Sequence, residues 1–323
     1  MAGRTRSWRV RCRAVGPVVG PVRGAALPRV PALLALGVLV LGACGSAEPT
    51  AVTSASSPGS LPTSVAFDVE VAQARSDRVA RVVELQVRNA GPLDVSITRA
   101  RLTSASLAGE SEAGREIRAD SMRRLRVPLD AAVCGAAAHD DPPPSVELDV
   151  STADGRTGTV VVTPTDETDD LRRIQGEDCA AEAVAAGLRV ALADDLAVRD
   201  VDGTSVADVT LLVEPVPGGP HVRLLSVHAT TLLRPLGTTG RWDLDVDSAA
   251  PPADGRVVLA TVPARCDLHA IAEDKLGTVL GVQAVVDGVE QPLFLVPAPD
   301  ALRGALYDYV VTTCGQASDA RTG

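Results

Sequence analysis

Residues 83–97 read VELQVRNAGPLDVSI, and their alternation decides the fold class. Val83, Leu85 and Val87 fall on one side of an extended chain and Glu84, Gln86 and Arg88 on the other, the period-two pattern of a half-buried strand. The turn Asn89-Ala90-Gly91-Pro92 interrupts, and Val95 and Ile97 resume it. About 126 residues on, the same arrangement returns. Val209, Leu211 and Val213 lead to the turn Pro217-Gly218-Gly219-Pro220, and Val222, Leu224 and Val227 follow.

Working outward, other features recur at the same period. Cys134 follows a strand-like run, residues 125–133, and Cys266 follows another, residues 257–262. After each cysteine comes a polar stretch and then two apolar runs joined by Asp-Gly: residues 146–150 and 159–162 around Asp154-Gly155, residues 282–286 and 293–296 around Asp287-Gly288. Asp-Gly between alternating runs is a strong hairpin signal. A short helix then runs into a second cysteine in each copy, residues 169–179 and 300–314, with Leu302, Leu306, Tyr309 and Val310 spaced for one helical face. The repeat is too long for a solenoid unit and suits two tandem domains. Short strands with glycine and proline turns predict a mainly β chain of two tandem antiparallel β-sandwich, immunoglobulin-like domains, each with one short helix.

The 323 residues carry 31 basic and 41 acidic side chains. Seven of the arginines and none of the acids fall in residues 1–43, which leaves residues 44–323 at a net charge of −17. Such an acidic body argues against nucleic acid, which needs a basic footprint. The basic start runs into a short apolar stretch, residues 31–43 (PALLALGVLVLGA), too short to span a bilayer and laid out like a secretory signal peptide. It ends Leu41-Gly42-Ala43-Cys44, which resembles a bacterial lipobox. That resemblance implies cleavage before Cys44, lipid attachment (palmitate) to its sulfur, and a place at the extracytoplasmic face of the cell membrane. Residues 45–64 hold nine Ser/Thr and three Pro and read as a disordered tether. The expected organisation is therefore signal peptide 1–43, lipidated Cys44 and tether 44–64, first domain 65–180, second domain 181–318 and tail 319–323.

Setting aside Cys12 in the signal segment and Cys44, four cysteines remain, with three possible pairings. The repeat selects Cys134–Cys179 and Cys266–Cys314, one disulfide per domain. Export places them where disulfides persist.

Residues 265–278, RCDLHAIAEDKLGT, resemble a segment of an uncharacterised family of predicted actinobacterial lipoproteins, of the form R-C-D-x-H-A-x-A-E-D-K-x-G-T. The high Ala, Val and Arg content with a single lysine, Lys275, fits such a source. The first copy departs from it, since Cys134 precedes Gly135-Ala136-Ala137-Ala138-His139-Asp140-Asp141. The resemblance implies class and location and brings no activity. Physically, Asp267, His269, Glu273 and Asp274 are weak candidates for a divalent metal, with His269 and Glu273 at i, i+4. The competing reading is a capped turn after the disulfide with Asp267 as N-cap.

Other candidates are weaker. Asp243, Asp245 and Asp247 look like a calcium-loop opening, but Ser248 stands where glycine is needed. Alternation puts Trp242, Leu244 and Val246 in the core and the aspartates in water. Residues 166–170 (DETDD) read as an acidic helix start. Arg123, Arg124 and Arg126 form a basic spot that would pair with that run or bind a wall polymer. His221 and His228, seven apart on one strand, would face opposite sides, and Ser226 with His228 lacks a placed acid. No catalytic motif is present, and no cofactor is expected. These readings converge on a lipid-anchored, non-catalytic scaffold or partner-binding module, its partner an envelope protein or wall polymer. The alternative is a metal or small-ligand binding lipoprotein.

Overall fold

The computed structural model describes residues 59–135, 142–238, 240–267 and 275–322. Seven strands come first: β1 (Phe67–Ala72), β2 (Val82–Asn89), β3 (Val95–Thr103), β4 (Ala108–Ile117), β5 (Met122–Pro128), β6 (Ser145–Thr152) and β7 (Thr157–Val162). Helix α1 (Asp170–Gly187) follows. Ten strands come next: β8 (Leu188–Leu192), β9 (Ala197–Val201), β10 (Thr204–Pro215), β11 (Val222–His228), β12 (Leu233–Pro235), β13 (Arg241–Asp247), β14 (Arg256–Pro263), β15 (Val279–Val286), β16 (Val289–Glu290) and β17 (Phe294–Pro297). Helix α2 (Asp300–Thr322) closes the chain. The chain is mainly β, and all strand pairs between these elements are antiparallel.

The strands form four sheets whose orders repeat. Sheet β1-β2-β5 has its counterpart in β8-β10-β14, with β9 and β12 added at its margins. Sheet β4-β3-β6-β7 has its counterpart in β13-β11-β15, where β16 and β17 share the last place. Even an irregularity recurs. The central strand β3 shifts register between Ile97 and Arg99 against both neighbours, and β11 does so between Leu224 and Ser226. Such a bulge adds one residue and bends the strand.

Each pair of sheets shares a core. Val69, Val83, Leu85, Val87 and Leu125 of one sheet meet Val95, Ile97, Leu102, Val146 and Leu148 of the other. In the second core Val209, Leu211 and Leu259 meet Leu224, Trp242, Val282 and Phe294. Leu302, Leu306, Tyr309 and Val310 of α2 lie in that core, as their spacing requires. Both expected disulfides are present, Cys134–Cys179 and Cys266–Cys314.

Three sequence expectations change. The first helix does not stop at Cys179 but runs on to Gly187, so the expected boundary at 180/181 lies inside it. Likewise α2 runs past Cys314 to Thr322, through most of the expected tail. The second Asp-Gly hairpin is also built differently. Asp287 (φ 47°) and Gly288 (φ 81°) form the expected tight turn. It leads into the two-residue β16, and β17 resumes pairing with β15 only from Phe294. Pro292 lacks the N–H a continuous edge strand would donate.

Helix α1 leaves one core and joins the other. Leu171 and Ile174 are buried in the first, Ala180 and Val184 in the second. Its end is fixed by bare backbone. A Cβ on Gly187 would sit 2.1 Å from the Pro220 oxygen, and one on Gly219 would sit 2.1 Å from the Ala186 oxygen. The Val216 amide donates to the Gly187 carbonyl at 3.0 Å. The first copy uses the same device, where a Cβ on Gly91 would lie 2.4 Å from the Ser64 oxygen as the chain approaches β1.

Three outcomes follow for stability. Gly219→Ala and Gly187→Ala each lower the unfolding free energy, read from urea denaturation, by roughly 2 kcal/mol or more, since backbone has to move. Gly304→Ala, within α2 and open on all sides, raises it by about 0.5–1 kcal/mol through helix propensity. Replacing Cys134 and Cys179 together by serine removes up to about 4 kcal/mol, the loop-entropy value for a 45-residue separation, read from the same denaturation curve.

Candidate functional site

The acidic run before α1 is a helix start. The Asp166 carboxylate accepts from the amides of Asp170 and Leu171, at 2.8 and 2.9 Å, and so satisfies two N–H groups that the first turn leaves open. Asp170, in that turn, is buried. It accepts from the Gln73 amide (2.9 Å), the Thr168 hydroxyl (2.8 Å) and the Arg173 guanidinium. Arg173 also donates to Gln73 Oε1 at 2.8 Å and to both oxygens of Glu177 at 3.2 Å, and Arg78 pairs with Glu177. This network ties the first half of α1 to the chain that leaves β1. Burial pushes the Asp170 carboxyl up, but Arg173, Thr168 and the Gln73 amide outweigh it and hold it below the usual range. Burial also works to lower Arg173, and Asp170 and Glu177 reverse that and raise it.

Beside this half-helix lies an open cleft of about 2130 Å³. Leu171, Arg172, Gln175 and Gly176 of α1 line one side. Gly281, Leu293 and Leu295, from β15 and the β17 edge, line another, and Pro292 lies where a Cβ on Gly176 would touch it at 3.4 Å. Gly135 and Cys179 at the first disulfide and Arg265 and Lys275 from the second copy complete the rim. Small-ligand pockets occupy roughly 300–1,000 Å³, so the cleft has the size of a groove for a longer segment.

The sequence candidates are placed as follows. Cys44, His139, Asp140, Asp141, His269, Glu273 and Asp274 lie outside the described residues. Asp267 is exposed after the Cys266 disulfide. No group of three or more His, Cys, Asp or Glu is arranged for a metal among the described residues. Asp243, Asp245 and Asp247 face outward from β13 while Trp242 and Val246 are buried. Each has a side-chain partner nearby: Arg241 for Asp243 at 2.7 Å, Arg223 for Asp245 at 3.9 Å, and His221 Nε2 for Asp247 at 2.7 Å. The Ala249 amide, then His221, hold Asp247 below the usual range.

Two expectations are corrected. The arginines of β5 do not pair with residues 166–170. Arg126 donates to buried Asp77 at 2.6 Å and Arg124 reaches Glu84 at 3.8 Å, because β2 and the turn after β1 lie closer to β5 than α1 does. The parity argument for His221 and His228 also fails. His221 precedes β11, and the bulge inserts a residue, so Arg223, Ser226 and His228 pair with the outward residues Asp247, Asp243 and Arg241. Ser226 and His228 make no hydrogen bond to each other or to a carboxylate among the described residues. His228 instead lines the cleft.

The cleft itself escaped the sequence. Gln175 reads as an ordinary polar position on a helix, and only the helical glycine beside it hinted at a close neighbour.

No protein-family model and no curated protein matches the chain. Among solved structures, a transglutaminase of red sea bream is similar at 13% identity over 74% of this chain and 32% of its own, with a TM-score of 0.20. An exo-chitosanase of Amycolatopsis orientalis is similar at 14% identity over 71% of this chain and 26% of its own, with a TM-score of 0.17. The chain thus spans a third or less of the length of these structures, and neither likeness bears on fold or chemistry.

Asp170→Asn costs about 2–3 kcal/mol at neutral pH, since it strips the charge from a buried, multiply bonded group. A carboxyl lowered by folding stabilises the fold above its unfolded pKa and loses that contribution as pH falls through its folded value. The gap between the wild type and this variant, measured by urea denaturation, therefore closes below about pH 4.

Proposed function

We propose that the chain is a lipid-anchored extracytoplasmic protein: a non-catalytic scaffold or partner-binding module at the cell envelope, built of two tandem immunoglobulin-like β-sandwich domains. The observation that carries this reading is the pairing of a lipobox-like Leu41-Gly42-Ala43-Cys44 with a body closed by two disulfides at corresponding places. Disulfides persist in oxidising compartments, and the motif offers a thiol for acylation. Two or more acyl chains hold a protein at a membrane where one does not. The 20-residue Ser/Thr/Pro stretch after Cys44 would reach roughly 25 Å as a flexible coil, enough to lift an acidic body from an anionic surface.

The repeated topology supports the sandwich reading, since each pair of antiparallel sheets packs across one core. A binding role is supported by the size of the cleft.

Labelled palmitate fed to producing cells tests the anchor. Incorporation into the chain, abolished by Cys44→Ser with release of the protein to the medium, is the expected result. A wild-type chain that stays unlabelled and soluble overturns the anchored reading. Turnover of a wall substrate by the purified protein would overturn the non-catalytic one.

A further inference from the structure

The cleft along α1 holds a polar group that the fold leaves unused. Gln175 is only 8% exposed, yet its carboxamide has no hydrogen-bond partner among the described residues. It is not sealed in the core either, because it lines the cleft. Its amide atoms open into the cleft, and a ligand that replaces the water there has to offer hydrogen-bonding groups in exchange. A carboxamide offers one acceptor and two donors side by side, which matches the C=O and N–H of an extended peptide backbone.

The rim of the cleft carries several cations. Arg75, Arg172, Arg265 and Lys275 line the cleft, and all four are exposed. None has an ion-pair partner among the described residues. Lys275 is the only lysine in the sequence. Arg99 and Arg101 of β3, by contrast, are matched: Arg99 meets Asp149 at 2.8 Å, and Arg101 meets Glu110 at 2.8 Å and Glu147 at 3.3 Å. Of the acids lining the cleft, Asp166 is spent on capping α1 and Glu177 on Arg78 and Arg173, which leaves Asp169. Among the described residues, six cations and three acids line the groove, in a body whose sequence carries a net charge of −17. Between the rim and Gln175 the lining is apolar, with Leu171, Leu276, Leu293 and Leu295.

We infer that this cleft binds an extended acidic polypeptide segment, with Gln175 reading its backbone and Arg172, Arg265 and Lys275 its carboxylates. Side chains of an extended segment alternate in direction, so one set can meet the leucines while the other meets the cations. A phosphate polymer would use the cations but has no use for an apolar floor, and therefore fits less well. The inference rests on the partner-binding reading above and adds the site and the chemistry of the partner.

The test is fluorescence anisotropy of a labelled ten-residue peptide of alternating Glu and Val, titrated with the full exported chain in non-ionic detergent. Saturable one-to-one binding is expected, weakening as salt rises. Gln175→Leu and Arg172→Glu should each weaken it at least tenfold. Arg172 is exposed, so its variant tests the site without a folding change, and the Tm of the Gln175 variant checks the other. Absence of saturable binding, or binding unchanged in both variants, overturns the inference. Binding of inorganic polyphosphate with none of the peptide overturns it in favour of a phosphate polymer. Palmitate labelling depends on neither residue, so failure of the anchored reading and failure of the cleft are separable.

Discussion

Helix α1 has to satisfy two hydrophobic cores at once, and most of the architecture follows from that demand. Leu171 and Ile174 fix its first half and Ala180 and Val184 its second. A helix so divided has little freedom to slide, because a shift of one turn would withdraw apolar side chains from both cores. Its ends are held by different physics. At the start, Asp170, Arg173 and Glu177 join it through charge-assisted bonds to Gln73 and Arg78, which come from the chain that leaves β1. Midway, Cys179 is tied covalently to Cys134. At the end there is only backbone against backbone, Gly187 against the turn holding Gly219.

That last contact shows why the two copies resemble each other more in construction than in sequence. In each, the turn between the second and third repeated strands carries a glycine-proline pair, Gly91-Pro92 or Gly219-Pro220. In each, the glycine is pressed by the chain about to begin the first strand, Ser64 before β1 or Ala186 before β8. The chain before β8 is helical, whereas residues 59–66 before β1 are not. The same seat therefore accepts two kinds of lead-in, because what it recognises is a close backbone and not a side chain.

What could be read from the sequence was whatever left a periodic trace. Val83, Leu85 and Val87 alternate because they line a core, and the cysteines recur because the copies do, so strands and pairings were legible. The bulges at Thr98 and Leu225 were not, since one extra residue in a strand looks like ordinary irregularity until the partners are known. The second half of α1 was equally silent. Residues 180–187 (AAEAVAAG) are nearly all small, and the helix fits there by close approach instead of by a marked apolar face. Pairing of the β5 arginines was misjudged because charge sign alone cannot choose among several acidic neighbours, and the turn that buries Asp77 gives no sequence signal.

The cleft arises from the same economy of one helix serving two cores. Because α1 turns from the first core toward the second along its length, the face around Arg172, Gln175 and Gly176 looks into the cleft, and Pro292 approaches it at Gly176. Gly281, lacking a side chain, keeps the outer side of β15 low. The bulge in β11 adds His228 to the same wall. The walls of the groove that come from α1, β15 and β17 belong to elements fixed by the cores. Recognition on such walls loses little conformational freedom on binding, which is the condition under which a few well-placed polar groups can decide what is bound.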